Sequence, residues 1–348
     1  MVRYEVGMYG GSFDPLHLGH IHDIIRAASE CRILYVMISW CEGRESTTKE
    51  LRYRWILNST KHLSNVEIIM IEDVAVSKED YNTDYYWEKG ARDIKARIGE
   101  KINVVYCGSD YLNTNRFESL YAPESDVIYF DRAEVPISST QIREWAIHHW
   151  DYIPDICKPY YAKTVLLVGG ESTGKSTLVE NLARAYNTNY VEEVGRRTCE
   201  FAGGEEFMVA GDLIENLLRQ KLDVQDALTK SNRLLFVDTD ALTTAFYCNL
   251  LLTDEKEKAT LIQMAESIHA TNRWDMVLFL EPQGTDFIQD GTRNEEIQEA
   301  REKYSAMLKN WFVKNKVSFY SIEGDYLDRF NQAKRLIDKE LGITTVYG

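Results

Sequence analysis

Proline is scarce in this chain of 348 residues: there are six, and none falls between Tyr160 and Glu281. Proline breaks a helix by removing an N–H and crowding the preceding turn. The proline-free stretch can therefore hold long helices, and the pattern predicts two, over Asp212 to Leu228 and Lys256 to Ser267. The six cysteines (Cys31, Cys41, Cys107, Cys157, Cys199 and Cys248) are scattered, with no C-x-x-C pair. That spacing excludes a zinc ribbon or a disulfide framework and suits reduced thiols. No apolar run approaches the roughly 20 residues of a membrane span. The N-terminus also lacks the basic, apolar and small-residue order of a signal peptide. These absences predict a cytoplasmic protein. Positive charge is in deficit, with Lys+Arg 40 against Asp+Glu 55 and a net charge of −15. A surface of that sign does not hold nucleic acid non-specifically, although a local basic pocket for small anions fits inside it. Hydrophobic content of 44% and charged content of 27% are ordinary for a globular protein. There is no internal repeat and no low-complexity tract.

The length suits about two domains. Apolar stretches at Tyr4 to Tyr9, Ile33 to Ile38, Val66 to Ile71, Asn103 to Cys107 and Val127 to Phe130 alternate with helical segments. One of these segments carries the face Ile21, Ile24, Ile25 and Ala28. Alternation of this kind predicts an α/β fold with a doubly wound, Rossmann-like parallel sheet. Pro154 and Pro159 bracket a polar break, and a second strand starts at Thr164 to Val168. Further strands are expected at Asn189 to Val194, Leu234 to Asp238, Met276 to Leu280 and Val317 to Ile322, so the predicted domains are residues 1–158 and 159–348.

The first domain opens on Gly10-Gly11-Ser12-Phe13-Asp14-Pro15-Leu16-His17-Leu18-Gly19-His20. His17 and His20 are three apart at the start of a helix and share a face. The glycine turn and the helix N-terminus offer N–H groups to an anion. Two imidazoles in that setting suit a phosphoanhydride better than a metal, while His22 reads as an exposed bystander. Downstream, Ser138-Ser139-Thr140-Gln141-Ile142-Arg143 reads as a capped helix start, where Arg143 can neutralise leaving pyrophosphate. Gly108 and Asp110 follow a strand, where Gly admits adenosine closely and Asp can hold ribose hydroxyls. Lys49, Arg52 and Arg54 can clamp phosphates or be solvated helix charges. Trp87 can stack on a cationic ring or be a core aromatic.

The second domain carries Gly169-Gly170-Glu171-Ser172-Thr173-Gly174-Lys175-Ser176-Thr177 between an apolar strand and a helix. That context is the one a phosphate-cradling loop requires, and chance would supply the pattern in roughly one such chain in a hundred. Lys175 is expected at the β/γ-phosphates and Ser176 on Mg²⁺, with Asp238 holding the metal through water. Asp240, two residues on, can bind substrate hydroxyls, act as a base or be a surface acid. Glu192 and Glu193 are expected to end the next strand near the γ-phosphate, where one, with Glu193 preferred, orients the acceptor. Arg196 and Arg197 follow, as phosphate ligands or partners of these acids. Arg293 and Arg301 lie on a lid-like segment; for Arg301, exposed helix charge is the preferred reading.

The histidine motif together with I-S-S-T-x-x-R resembles nicotinamide-nucleotide adenylyltransferases. The whole chain from about Tyr4 to about Leu341, including the G-G-E-S-T-G-K-S wording, resembles bifunctional NadR-type proteins. The resemblance implies a nucleotidyltransferase domain followed by a P-loop ribosylnicotinamide kinase domain. It implies as ligands ATP at both sites, nicotinamide riboside, nicotinamide mononucleotide (NMN) and NAD. By that likeness Gly10, Gly11, Ser12, Phe13, Gly108, Asp110, Ser138, Ser139 and Thr140 would bind one ATP, and the P-loop residues with Arg293 the other. Asp14, Lys49, Arg52, Trp87, Glu192 and Arg196 would touch the second substrate. Some members begin with a helix-turn-helix domain; with no room for one ahead of Tyr4 and an acidic balance, DNA binding is not expected. A homo-oligomer is compatible with the sequence. Two rivals stand beside this reading. One is a phosphopantetheine adenylyltransferase joined to dephospho-coenzyme A kinase, a family that usually has Thr at the His17 position. The other is a sensor that binds NAD and ATP without turnover, which need not keep His17, His20, Lys175 and Ser176.

Overall fold

The computed structural model describes residues 2–77, 79–284 and 301–345; the expected role of Arg293 falls outside them. Within the described residues the chain divides into two compact units, Met1–Lys158 and Pro159–Gly348.

In unit 1 the order is β1 (Tyr4–Gly11), α1 (Leu18–Glu30), β2 (Cys31–Trp40), α2 (Lys49–Thr60) and β3 (Val66–Glu72). There follow α3 (Asp84–Ile98), β4 (Val104–Gly108), α4 (Arg116–Tyr121), β5 (Asp126–Phe130) and α5 (Ser139–Trp145). The sheet is parallel throughout, in the order β3-β2-β1-β4-β5. The chain winds outward from β1 to β3, then returns to lay β4 on the other side of β1. This reversal opens a crevice beyond the C-terminal ends of β1 and β4, where α/β sheets bind ligands. Gly10 and Gly11 belong to β1 itself, paired with Met37 and Ile38, so the anion-facing turn begins only at Ser12.

Unit 2 begins with α6 (Lys158–Tyr161), β6 (Lys163–Gly169), α7 (Lys175–Ala185), β7 (Asn189–Val191), α8 (Val194–Ala202) and α9 (Ala210–Thr229). It continues through β8 (Leu234–Asp238), α10 (Ala241–Leu251), α11 (Glu255–Thr271), β9 (Met276–Leu280), α12 (Arg301–Lys314), β10 (Tyr320–Ile322) and α13 (Tyr326–Leu341). Its parallel sheet runs β10-β9-β6-β8-β7. β8 and β9 are buried at every position, as expected of strands covered on both faces. Leu167 pairs with Asp238 and Gly169 with Leu280, which sets the P-loop between the ends of β8 and β9.

Both long helices form and run slightly past their predicted ends. Two strands are shorter than the apolar pattern predicts. β7 stops at Val191, so Glu192 is exposed and outside the strand, and Glu193 is the N-cap of α8. β10 starts at Tyr320, because Lys316 takes a positive φ of 59° and Val317 and Phe319 pack into the core as side chains of a loop.

Candidate active sites

In unit 1, His17 is the N-cap of α1, and its Nδ1 accepts the His20 backbone N–H at 3.3 Å. That bond fixes the tautomer: the neutral ring carries its proton on Nε2, free to donate. The two imidazoles stack with centroids 3.6 Å apart and planes 18° off parallel. Burial, and then the Arg132 guanidinium, lowers His17 to about 3. Burial, His17 and Arg132 push His20 well below its ordinary value. Both rings are therefore neutral donors at pH 7. Unfolded histidines take up protons near 6.5, so the stability these rings contribute is present above that value and is lost as the pH falls toward 3.

Phe13 lies beneath this pair with its ring buried and edge-on to His20 at 5.0 Å. Its side chain thus supports the histidine, and only its backbone can meet ATP. Asp14 was expected at the substrate; its buried carboxylate instead accepts both N–H and hydroxyl groups of Ser46 and Thr47 and so shapes the loop. Arg52 is spent in the same way, buried and donating to the carbonyls of Ser12 (2.6 Å) and Ser39 (3.1 Å). Ser138 forms a reciprocal cap with Gln141, Ser139 donates to the Pro15 carbonyl at 2.9 Å, and Thr140 accepts from Arg143 at 3.0 Å. Arg143 also holds the Asp14 carbonyl, which brings α5 against the loop that carries His17. The Ser138 and Ser139 hydroxyls donate within the protein, while the exposed Thr140 hydroxyl accepts and keeps its proton to donate.

Arg132 escaped the sequence reading. It follows β5 at the ligand-binding edge of the sheet and pairs with Asp110 at 2.9 Å. The pair lies across Gly108, where a Cβ would meet Arg132 Nε at 2.4 Å and Asp110 Oδ1 at 2.5 Å. Glycine is required there by the ion pair, and Asp110 is engaged by a cation. Lys49 rests its Nζ 3.4 Å from the Trp40 ring centroid. Trp87 is no free platform: its Nε1 donates to the Tyr81 carbonyl, Tyr81, Tyr111 and Phe117 surround it, and the Arg116 guanidinium sits over its ring.

In unit 2, Ser172 (φ 53°) and Gly174 (φ 77°) turn the P-loop. Lys175 Nζ donates to the Gly170 carbonyl at 2.9 Å, as does the buried Thr173 hydroxyl at 2.8 Å. Ser176 donates to Asp238 Oδ2 at 2.6 Å, with Arg196 3.5 Å from the same hydroxyl. Ser172 to Thr177, Arg196 and Tyr326 line one pocket. Tyr326 was not anticipated; it starts α13, and a Cβ on Gly174 would stand 2.8 Å from its ring. Nor was the buried Arg329, which ties the Thr173 carbonyl to those of Glu281, Gln283 and Gly324. Arg301 does more than carry exposed charge: it donates to the Ser172 carbonyl at 3.0 Å.

An adjoining cleft of about 830 Å³, its solvent mouth included, is lined by Gly169, Glu171, Lys175, Glu193, Arg196, Glu205 and Tyr247 among others. Three expectations change here. Glu171 turns its side chain into this cleft instead of toward the phosphate pocket. Glu192 is exposed and absent from the lining. Asp240 has no exposed side-chain surface: it caps α10 and accepts from His269 Nδ1 at 2.8 Å, so it cannot serve as a base. Glu193 remains. Burial and Asp238 raise it, and Lys175 and Arg196 oppose that rise.

Residues 8–145 match the cytidylyltransferase-like family and residues 164–329 match the AAA domain family. The chain is 28% identical to the "Trifunctional NAD biosynthesis/regulator protein NadR" of Salmonella typhimurium over 97% of its own length and 84% of that protein. It is 31% identical to a phosphopantetheine adenylyltransferase of Streptococcus sanguinis, a match that covers 43% of this chain and 89% of the relative. A solved NadR structure, in complex with NR, superposes with a TM-score of 0.84 at 22% identity, covering 99% of this chain and 98% of the other. That likeness is one of fold.

Proposed function

We infer that this chain, a member of the NadR family, makes NAD from nicotinamide riboside in two ATP-dependent steps. Unit 2 phosphorylates the riboside 5′-hydroxyl to give NMN, and unit 1 adenylylates NMN to NAD. The observation that carries the choice of nucleoside is the cleft beside Lys175, where Glu171, Glu193 and Glu205 converge on one side of the P-loop. A neutral nucleoside gives no reason to gather carboxylates, whereas a pyridinium ring does. Similarity to NadR extends through both units, while the pantetheine relative is matched by less than half of the chain.

In unit 2 the 5′-oxygen attacks the γ-phosphorus, the bond to the β,γ-bridging oxygen breaks, and ADP leaves. Glu193 orients the hydroxyl and takes its proton; a carboxyl raised by burial is a stronger base for this task. Lys175 meets the β/γ-phosphates. The paired oxygens of Ser176 and Asp238 are hard donors that suit Mg²⁺. When bound, Mg²⁺ would offset phosphate charge there. Tyr326 gives the adenosine end of ATP a flat surface beside Gly174. In unit 1 a phosphate oxygen of NMN attacks the α-phosphorus of ATP and pyrophosphate leaves. The nucleophile is already an anion, so no base is needed; His17 Nε2–H, His20, Arg143 and Arg132 supply donors to the developing charge.

The test is the full chain with ATP and a panel of nucleosides: NMN and then NAD should form from nicotinamide riboside in preference to neutral nucleosides. Preference for a neutral nucleoside would remove the reading. Two variants probe the roles. Glu193→Gln should lower kinase kcat by about 10²–10⁴ with ATP affinity little changed, and Glu192→Gln should stay near wild type; a defect confined to Glu192→Gln would reverse the assignment. Tyr326→Ala should raise the KM for ATP in riboside phosphorylation by about 10-fold, as loss of a stacking surface does. Adenylyl transfer to supplied NMN should not change, and equal effects on both steps would take Tyr326 out of the kinase site.

A further inference from the structure

We propose that Glu205 is the residue by which the riboside cleft distinguishes a cationic ring from a neutral one. The proposal rests on the assignment of unit 2 as a riboside kinase and adds a specificity-determining side chain to it.

Glu205 is carried on a strap between α8 and α9. Gly203 (φ 92°) ends α8, and Gly204 (φ 143°) takes a conformation closed to other residues, where a Cβ would come within 2.7 Å of Glu206 Oε2. The single turn that follows, Glu205–Phe207, divides its side chains. Glu205 lines the cleft, while Glu206 and Phe207 face solvent. Two glycines and one turn thus set a carboxylate into the cleft.

Among the described residues, the charged groups that act most on Glu205 are carboxylates. Its carboxyl is in hydrogen-bonding contact with that of Glu171, whose Oε1 also receives the Tyr247 hydroxyl at 3.4 Å. Glu193 faces it from the start of α8, and Cys199 stands on the same helix. The cleft's cations lie on the phosphate side: Lys175 is bound to the Gly170 carbonyl and Arg196 reaches toward Ser176. Their pull is felt by Glu193, whereas the charges that act most on Glu205 are those of Glu171, Glu193 and Glu206. Burial and then these carboxylates push Glu205 up to about 8. Near neutral pH, before a nucleoside binds, a proton therefore takes the place of a counterion.

A ring that carries a fixed positive charge replaces that proton, which leaves to solvent. A neutral ring cannot, and it leaves the protonated carboxyl as it was. The division of labour follows from position: Glu193 acts on the 5′-hydroxyl, Glu205 on the ring, and Glu171 with Tyr247 holds Glu205 in place. Because deprotonated Glu205 is the form that favours the cation, affinity for the cationic riboside should rise as the pH goes from 6 to about 8. Affinity for a neutral isostere should stay flat.

The experiment uses the full chain with nicotinamide riboside and its 1,4-dihydro form, which keeps the ribose and carboxamide but has an uncharged ring. Titration calorimetry at pH 7 in two buffers of different ionisation enthalpy counts the protons. The wild type should release close to one proton on binding the cationic riboside and none on binding the dihydro form. Glu205→Gln should abolish that release and raise the KM for the cationic riboside by about 10²-fold. It should leave kcat within a few-fold and the dihydro KM unchanged. A folded Glu205→Gln protein that keeps the wild-type preference, or still releases the proton, overturns the proposal. Glu171→Gln is an independent check: burial is the larger cause and remains, so Glu205 should fall from its raised value only in part and proton release at pH 7 should shrink, and an undiminished release overturns the proposal as well. A wild-type chain that phosphorylates neither nucleoside would remove the kinase assignment itself, and the proposal with it.

Discussion

Lys175→Ala should lower riboside phosphorylation by about 10³-fold or more while leaving adenylyl transfer to supplied NMN within about two-fold of wild type. The magnitude follows from the transferring phosphoryl group, whose charge is spread over oxygens that the protein must neutralise; a transition-state arginine finger doing the same work is worth about 10³–10⁵ in other phosphoryl-transfer enzymes. The Lys175 ammonium is already placed, 2.9 Å from the Gly170 carbonyl within the loop it must serve. Its removal should not unfold the loop, because Thr173 still bonds Gly170 and Arg329 still ties Thr173 to Glu281 and Gln283. The two activities are assayed on one preparation, riboside with ATP for the first and NMN with ATP for the second. Parallel loss of both in a folded protein would refute two independent nucleotide sites.

The strands and both phosphate motifs were legible because local pattern dictates them. β6 must be apolar on both faces, and Gly174 must turn into the left-handed region before α7 can start. What was not legible depends on partners far away in sequence. Asp14 reads as a site residue next to the histidine motif, yet Ser46 and Thr47 use up its oxygens. Asp240 reads as a second acid beyond β8, yet His269 and the start of α10 claim it. Tyr326 and Arg329 reach the P-loop across about 150 residues, as in the bond between Arg329 and Thr173. No spacing rule could announce that. Arg132 left a weaker trace: a cation immediately beyond a strand at the ligand edge of a doubly wound sheet is a candidate on position alone. Glu205 left a local one, the Gly203-Gly204 pair ahead of it, which marks a turn that only glycine can make.

His20→Ala should lower adenylyl transfer by about 10²–10³-fold, the usual consequence of losing one donor aimed at developing charge. Riboside phosphorylation should stay intact, so the variant should accumulate NMN from riboside and ATP. The protonation state makes the prediction sharper. Burial and Arg132 keep both histidines neutral down to acid pH, so catalysis depends on N–H donation and not on imidazolium charge. The kcat/KM profile of the wild type, which reports groups of the free enzyme, should therefore show no histidine inflection between pH 6 and 8. Arg132→Leu removes the neighbouring cation and should let His17 and His20 rise from their lowered values. Because burial is the larger cause in both, the rise should be partial. His20→Asn keeps an N–H donor of similar reach and should recover part of the rate lost in His20→Ala, whereas a charge role would allow no recovery. An inflection near pH 6.5 in the wild type, or equal rates for the alanine and asparagine variants, would place a protonated histidine at the reacting phosphate and overturn the neutral-donor account.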